Sequence, residues 1–172
     1  MSSLRLVYAP NPIFKKKAAH VDQVDDEVRL ILDQMLELLY QKDAAGIGAN
    51  MVGVLKRLIV VDIHENDTPT PYKMINPEIT WRTDTMQSFK EASLCYPGIS
   101  ADIERPDSIK LTYLDVDGTQ KELEAHGWLA TVIQHEIDYL DGKVFLDYLS
   151  PLKRNMLLKK MKKHMKLYPS ED

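Results

Sequence analysis

The sequence has few of the features that mark several classes of protein. It contains one cysteine, Cys95, in 172 residues, which excludes a framework of intramolecular disulfide bonds and is typical of a reducing compartment. No stretch approaches the roughly 20 apolar residues of a membrane-spanning helix, and residues 1–5 show no secretory signal. The net charge of −4 gives no general attraction to nucleic acid or to an anionic membrane. We therefore expect a cytoplasmic protein that binds neither DNA nor membranes.

The length and the apolar fraction indicate one folded unit. A chain of 172 residues, 44% of them hydrophobic, is long enough to bury a sizeable core, and we expect a single domain over residues 1–172. A helix is predicted from about Asp25, because acidic residues at 25–27 suit the positive end of a helix dipole. The apolar residues that follow recur at intervals of three and four and form one stripe. They are Val28, Ile31, Leu32, Met35, Leu36 and Leu39.

Several strands are predicted between this helix and a second one. β-branched and alternating apolar residues indicate strands within 58–63, 74–81, 88–98, 109–114 and 119–123. Pro77 cannot donate a ladder hydrogen bond, so its strand is expected at a sheet edge. A helix is predicted over 127–140, with Gly142 as its stop. One helix, then strands, then a helix is the order typical of an α+β domain.

A last helix is predicted from Ser150, a good N-cap, and Pro151, which suits the first helical position. Its apolar stripe comprises Leu152, Met156, Leu157, Met161 and Met165. Its other face carries the basic residues Lys153, Arg154, Lys159, Lys160, Lys162, Lys163 and Lys166. Such a face is most often simply solvated. The alternative is a weak contact with RNA or the ribosome.

Two further stretches carry patterns of interest. Residues 43–53 hold three glycines, which permit tight turns and close backbone approach, but without the spacing of a dinucleotide-binding loop they indicate only a loop. Residues 134–142 place His135 and Tyr139 one helical turn apart on one face. Two histidines at that spacing, with a glutamate after the first, form the H-E-x-x-H zinc helix. Since Tyr139 stands at the second histidine position, the stretch indicates either a hydrolase site or the remains of one.

Three segments together resemble the motifs of peptide deformylases. Residues 46–53 align without gaps on G-L-A-A-x-Q-V-G, residues 91–98 on E-G-C-L-S-x-P-G, and residues 134–142 on Q-H-E-x-D-H-L-x-G. The motifs occur in the family's order. Shorter matches occur at 11–14, 75–77 and 105–106. The chain thus resembles a peptide deformylase over nearly its whole length.

The resemblance implies an α+β fold, with antiparallel and mixed sheets around the motif-bearing helix and with N-terminal and C-terminal helices. It also implies an ancestral activity. Peptide deformylases remove the formyl group from the N-terminal methionine of new bacterial proteins at the ribosome. Their iron or zinc is held by one cysteine and two histidines, with water in the fourth position. The glutamate after the first histidine shuttles protons, and a glutamine side chain and a leucine backbone N–H stabilise the oxyanion.

Part of that site is retained here. His135 matches the first metal histidine, Glu136 matches the proton shuttle, and Leu94 keeps the backbone donor position. The resemblance also implies a groove for an extended peptide. We expect its walls at Ala45, Gly46, Glu91, Ala92 and Arg105, with Ala92 replacing a glycine of the family.

Three functional positions are substituted. The metal cysteine falls on Ser93, the second metal histidine on Tyr139, and the oxyanion glutamine on Met51. Serine is neither soft nor ionised near neutral pH, and tyrosine stays protonated unless a metal lowers its pKa from about 10. A thioether cannot donate to an oxyanion, and losing one such donor typically costs about 10²–10³ in rate. We therefore favour a homologue without a catalytic metal or deformylase activity, which retains a groove for N-terminal peptides.

The alternative is an active amide hydrolase that removes formyl from formyl-methionine with altered Fe²⁺ or Zn²⁺ ligation. Cys95 could replace the lost thiolate, but on a strand it lies roughly 6.6 Å beyond Ser93 and reaching the metal requires a bulge. A small buried side chain is the plainer interpretation. A second version is a hard-ligand site made of Ser93, His135, Tyr139 and Glu136, since phenolate binds ferric iron. Without a metal, His135 is expected to hydrogen-bond Tyr139 or Ser93.

Overall fold

The computed structural model of the protein describes residues 3–170, and within this range the chain forms three α-helices and seven strands. The helices are α1 (Asp26–Gln41), α2 (Gly127–Leu140) and α3 (Pro151–Leu167). The strands are β1 (Gly46–Gly48), β2 (Leu58–Val61), β3 (Tyr72–Arg82), β4 (Met86–Ser93), β5 (Tyr96–Pro106), β6 (Ser108–Leu114) and β7 (Gln120–His126). This architecture confirms the α+β class.

The strands form two antiparallel sheets. Five of them make one sheet in the order β1-β2-β3-β6-β7, and β4 and β5 form a separate hairpin. β1 therefore lies at an edge of the larger sheet, with one side unpaired by other strands of residues 3–170. The unpaired side of a strand offers N–H and C=O groups for hydrogen bonds to another extended segment.

α1 follows the local signals of its sequence. The Asp25 side chain accepts a hydrogen bond from the Val28 backbone N–H at 2.9 Å, which caps the first turn. The predicted apolar stripe faces the interior, where Leu32, Met35 and Leu39 are fully buried. This burial, and not helix propensity alone, holds α1 against the sheet.

α2 is the buried element around which the two sheets are arranged. It begins and ends where the sequence predicts, and the chain reverses at Gly142 with a φ of 77°. Its flanks pack into two apolar clusters: Tyr139 lies in one, and Ile133, Ile137 and Leu140 lie in the other. A helix buried on both flanks presents its remaining positions to an internal site.

The structure corrects three predictions about the strands and loops. β3 is not an edge strand, because it lies between β2 and β6; the ladder shifts register between Ile75 and Glu78, so Pro77 sits in an irregularity that needs no N–H donor. The glycine-rich segment is not only a loop, since it forms β1 and a 3₁₀ helix over Ala49–Val52. The strand running into a turn that was predicted within 88–98 corresponds to β4 and the turn after it, whereas the part of β5 over residues 99–106 was not predicted.

α3 departs from its predicted stripe. Met161 is 2% exposed, but Leu152 is 74% exposed and Met156 is 63% exposed. The C-terminal half of the helix docks on β5, where the His164 ring lies 2.3 Å from the position that a Cβ on Gly98 would occupy. In the N-terminal half, Leu157 and Leu158 are partly buried against the core, and most residues before them are exposed. No helix within residues 3–170 is both long and apolar enough to cross a bilayer.

Candidate functional site

A cavity of about 520 Å³ opens between β1, β4 and α2. Most of the residues singled out in the sequence line it: Ala45, Gly46, Met51, Glu91, Ala92, Ser93, Leu94, His135 and Glu136. Arg105 and Tyr139 stand behind this lining, where they bond Glu91 and Ser93 respectively. The three motifs, far apart in the chain, therefore converge on one site.

α2 contributes cavity residues that sequence reasoning missed. Trp128, Thr131 and Val132 precede His135 by seven, four and three positions, so they lie on the same helical face. Their spacing from His135 is the sequence signal that could have identified them as cavity residues. Asp43 stands at the rim, exposed and with a φ of 51°; no sequence pattern marked it.

Gly46 brings β1 into direct contact with α2. A Cβ at this position would lie 2.8 Å from Cγ and 2.9 Å from Oε1 of Glu136, and 2.9 Å from Cγ1 of Val132. Real Cβ atoms do not approach so closely, so only glycine fits without displacing the carboxylate. Gly46 therefore allows the close approach of β1 to α2.

His135 is held by a buried ionic network. Its Nδ1 lies 2.7 Å from Oε1 of Glu91, and Arg105 donates two bonds to the same carboxylate at 2.8 and 2.9 Å. Arg105 also donates to Asp138 at 2.8 Å. Burial alone would raise the pKa of Glu91, but the hydrogen bonds from His135 and Arg105 lower it, so Glu91 is a carboxylate. The expectation that His135 bonds Tyr139 or Ser93 is wrong, because its Nδ1–H donates a hydrogen bond to the Glu91 carboxylate.

Ser93 and Tyr139 bond each other. Their hydroxyl oxygens are 2.5 Å apart, and Ser93 Oγ also accepts the backbone N–H of Cys95 at 3.3 Å. The Tyr139 side chain is 0% exposed, and burial raises its pKa well above the ordinary value. The phenol is therefore protonated, and the two positions that the family uses for metal ligands form a neutral hydroxyl pair.

Cys95 occupies the core and not the cavity. A register shift does occur between Glu91 and Ser93, but the thiol lies against the Met51 backbone carbonyl at 3.9 Å. The side chain is 0% exposed, and burial raises the pKa of the thiol. A buried neutral thiol packs as a small apolar side chain.

Met51 closes one wall of the cavity. It lies on the 3₁₀ helix after β1, and its sulfur accepts the Gly48 backbone N–H at 3.2 Å. The side chain is thus turned back towards its own loop and presents apolar carbon and a weak acceptor. Leu94, half-buried, lines the opposite side of the cavity.

Glu136 is the buried acid of the cavity. It is 3% exposed, and its Oε2 has no hydrogen-bond partner among the described residues. Its Oε1 lies 4.0 Å from Nε2 of His135. Burial, the largest effect, raises the pKa of this carboxyl to about 7. The group can therefore accept or release a proton near neutral pH.

The donor set in the cavity does not suit a catalytic zinc or iron ion. Such a site needs three good protein ligands and an open position, whereas His135, Ser93 and Tyr139 supply one imidazole and two neutral hydroxyl groups that bond each other. Within residues 3–170, no group of three or more histidine, cysteine, aspartate or glutamate side chains is arranged to hold a metal ion.

Comparisons with known proteins identify the family of the chain. The family model for polypeptide deformylase matches residues 3–155. A "Peptide deformylase-like" protein of Rickettsia conorii is 58% identical over 165 residues, which are 96% of this chain and 90% of that protein. "Peptide deformylase 1" of the same strain is 42% identical over 169 residues, with 95% and 97% of the two chains covered.

Solved structures show the same fold. The crystal structure of peptide deformylase from Ehrlichia chaffeensis in complex with actinonin superposes with a TM-score of 0.90 at 35% identity, covering 99% of this chain and 100% of that one. A peptide deformylase from Legionella pneumophila superposes with a TM-score of 0.92 at 32% identity, covering 99% and 100%. The protein belongs to the polypeptide deformylase family.

Proposed function

We propose that this deformylase-family protein holds no catalytic metal, does not deformylate peptides, and binds peptide N-termini in the retained cavity. The observation that carries the proposal is the hydrogen bond between Ser93 and Tyr139. Two ligand positions that bond each other as neutral hydroxyls have no negative charge to offer a metal, and ligation would require breaking their bond and ionising a buried phenol.

Loss of the metal removes the nucleophile of the family's reaction. In the family's reaction, water becomes a strong nucleophile at neutral pH because a metal lowers its pKa to about 7. Glu136 retains its place beside His135, but it then has no activated water to deprotonate. Met51 removes the side-chain donor for the oxyanion as well.

The peptide groove is a separate property and persists without the metal. β1 is an edge strand on one side of the cavity, and β4 supplies Glu91, Ala92 and Ser93 on the other. An extended peptide between two strands gains main-chain hydrogen bonds from either edge. The Ehrlichia neighbour was crystallised with actinonin, so a cavity in this fold accepts a ligand.

Metal content and activity test the proposal together. Protein purified anaerobically without an affinity tag is analysed for iron, zinc, nickel and cobalt and assayed with formyl-Met-Ala-Ser. We expect metal far below one atom per chain and no formate release above the rate of a Glu136→Ala variant. One metal per chain with turnover that Glu136→Ala abolishes would establish the alternative, an amide hydrolase with altered Fe²⁺ or Zn²⁺ ligation.

A second candidate function concerns α3, for which we propose a weak ribosome or RNA contact in the cytoplasm. The lysines of its basic face are exposed, as are the apolar residues Leu152 and Met156 in its first turns. Neutralising Lys159, Lys160, Lys162 and Lys163 to glutamine is expected to reduce salt-sensitive co-sedimentation with ribosomes. Neutralising the exposed cluster Lys15, Lys16 and Lys17 is the matched control. Unchanged co-sedimentation of the α3 variant contradicts this function.

A further inference from the structure

Two buried hydrogen-bond acceptors near β1 lack donors, and one of them belongs to Glu136, which lines the cavity. In the described part of the chain, Oε2 of Glu136 and Oδ1 of Asn50 are the buried side-chain atoms that lack a partner. Both lie beside β1: a Cβ on Gly48 would be 3.5 Å from the first and 3.1 Å from the second. Burying acceptors without donors is costly, so a donor that enters this region is bound favourably.

The positive groups near the cavity are already committed. Arg105 is engaged by Glu91 and Asp138, and the Nδ1 proton of His135 is used by Glu91. Lys90 lines the cavity but is exposed at its rim. Within residues 3–170, no lysine or arginine forms an ion pair with Glu136; the nitrogen that comes near its carboxyl group is Nε2 of His135, 4.0 Å from Oε1. Glu136 is therefore a buried acid of the cavity without an ion-pair partner among the lysines and arginines of residues 3–170.

We propose that the cavity binds the free α-ammonium group of a peptide N-terminus, with an apolar first side chain, in preference to a formylated N-terminus. This inference rests on the proposed function, because a bound metal would supply a positive charge to the cavity. It specifies the ligand class: the unformylated form of the peptide that the family's enzymes act on.

The chemistry of the walls favours the ammonium over the formyl group. An ammonium group brings three donors and a positive charge to the Glu136 carboxylate. A formyl oxygen needs donors, and Met51 offers none from its side chain. The backbone N–H of Leu94 is the one donor that the family's oxyanion site retains here. The formylated peptide therefore leaves its carbonyl less satisfied and Glu136 unpaired.

The remaining walls fit an apolar first residue. Leu94, Pro97, Trp128 and Val132 face the same cavity as Glu136. A cavity of about 520 Å³ is large enough for a methionine-sized side chain together with the start of the backbone. An inorganic cation would satisfy the charge but would leave these apolar walls in contact with water, which disfavours it.

Calorimetric titration of the wild-type protein tests the preference. Metal-free full-length protein at pH 7.4 is titrated with Met-Ala-Ser amide, with its formylated form and with its acetylated form. At this pH most of the α-amino groups, with a pKa near 7.7–8.0, are charged, and most of the Glu136 carboxyls are ionised. We expect the free amine to bind at least about tenfold more tightly than either blocked peptide, as a charge-assisted bond exceeds a neutral one.

Two variants separate charge from shape. Glu136→Gln keeps the size of the side chain and is expected to abolish the preference, while affinity for the formylated peptide changes by less than about twofold. Glu122→Gln is the matched control: it makes the same chemical change at an exposed carboxylate outside the cavity and is expected to change the ratio by less than about twofold. If Glu136→Gln fails to fold, the wild-type comparison of the three peptides still decides.

The outcomes distinguish this inference from the proposed function. Equal affinity for the three peptides, tighter binding of a blocked peptide, or binding of none overturns the ammonium site. The ammonium site is also overturned if potassium chloride weakens binding of the free amine more than a bulky organic salt does at equal ionic strength. Formate release from the formylated peptide in the same cell overturns the proposed function instead, whatever the affinity ratio.

Discussion

The two ring nitrogens of His135 face different environments. On the Nδ1 side, Glu91, Arg105 and Asp138 form a buried network in which each charge has a partner. On the Nε2 side, Oε1 of Glu136 lies 4.0 Å from Nε2, too far for a hydrogen bond, and Oε2 has no hydrogen-bond partner within residues 3–170. The described residues therefore satisfy the groups on the first side and leave one carboxyl oxygen unsatisfied on the second.

This difference separates structural from chemical constraint. Removing one member of a buried ion network leaves the others charged and unpaired. The stability of the fold therefore requires the network on the Nδ1 side. The Nε2 side depended on a ligand in the family's design. Ser93 and Tyr139 can bond each other there without disturbing the network behind His135. Under the proposed function, the site therefore loses its reaction while its scaffold remains intact.

The largest effect is expected from rebuilding the Nε2 side on the intact Nδ1 side. Ser93→Cys with Tyr139→His restores the ligand types that the family uses, and we expect one zinc per chain with measurable formate release. Adding Met51→Gln is expected to raise turnover by about 10²–10³, the usual contribution of one oxyanion donor. Elemental analysis and a formate assay measure both steps.

Glu136→Ala in the rebuilt protein is the control for that experiment. It should retain the zinc and lose the turnover. A rebuilt protein that folds but binds no zinc would show that the network behind His135 does not hold the ring in a ligating position. That result would contradict the independence of the two sides of His135.

Breaking the Nδ1 side is expected to cost the most stability. Arg105→Leu leaves Glu91 and Asp138 without their cation, and the free energy of unfolding should fall by about 3–5 kcal/mol. Urea unfolding measures it. Arg154→Leu is the matched control, since Arg154 forms a half-exposed pair with Asp147 at 3.8 Å that contributes at most about 1 kcal/mol. Equal losses in the two variants would contradict a special role for the buried network.

The Nε2 side predicts a pH dependence with a definite sign. The pKa of Glu136 rises from 4.5 to about 7 on folding, so the folded state binds the proton more tightly. Stability from this group is present below the unfolded pKa and is lost as pH rises towards 7. Because glutamine does not ionise, the free energy of unfolding of Glu136→Gln does not show this loss. The difference in unfolding free energy between the variant and the wild type should therefore shift in favour of the variant by about 3 kcal/mol between pH 4 and pH 8. Urea unfolding of both proteins at each pH, with the exposed Glu122→Gln as control, measures the difference.

The hydroxyl pair should give the smallest effect. Tyr139→Phe leaves Ser93 without its partner and is expected to cost about 1–3 kcal/mol. The double variant with Ser93→Ala removes both polar groups, so its loss should be smaller than the sum of the two single losses. Additive losses in a double-mutant cycle of unfolding free energies would mean that the two hydroxyls are not coupled.

The sequence predicted what depends on local chemistry. The cap at Asp25 and the glycine at 142 mark the limits of α1 and α2, and the three motifs identify residues that the structure brings to one cavity. Long-range pairing was not predictable in this way. Pro77 was assigned to an edge strand because its missing N–H is visible in the sequence, whereas the register shift that accommodates it depends on β6.

Side-chain partners across the fold were also beyond the sequence. The bond from His135 to Glu91 joins residues 44 positions apart, and no spacing rule connects them. The exposure of Leu152 in α3 likewise depends on contacts between distant parts of the chain. A helical stripe shows which residues share a face, but the docking of the C-terminal half on β5 decides which part of that face is covered.

The hydroxyl pair of Ser93 and Tyr139 also bears on drug selectivity. Compounds that inhibit an enzyme by chelating its active-site metal gain most of their affinity from that bond. Under the proposed function, the neutral hydroxyl pair leaves such compounds no metal to chelate, so they should bind this protein more weakly than they bind a relative that holds a metal. A compound designed around an ammonium group would have the opposite selectivity.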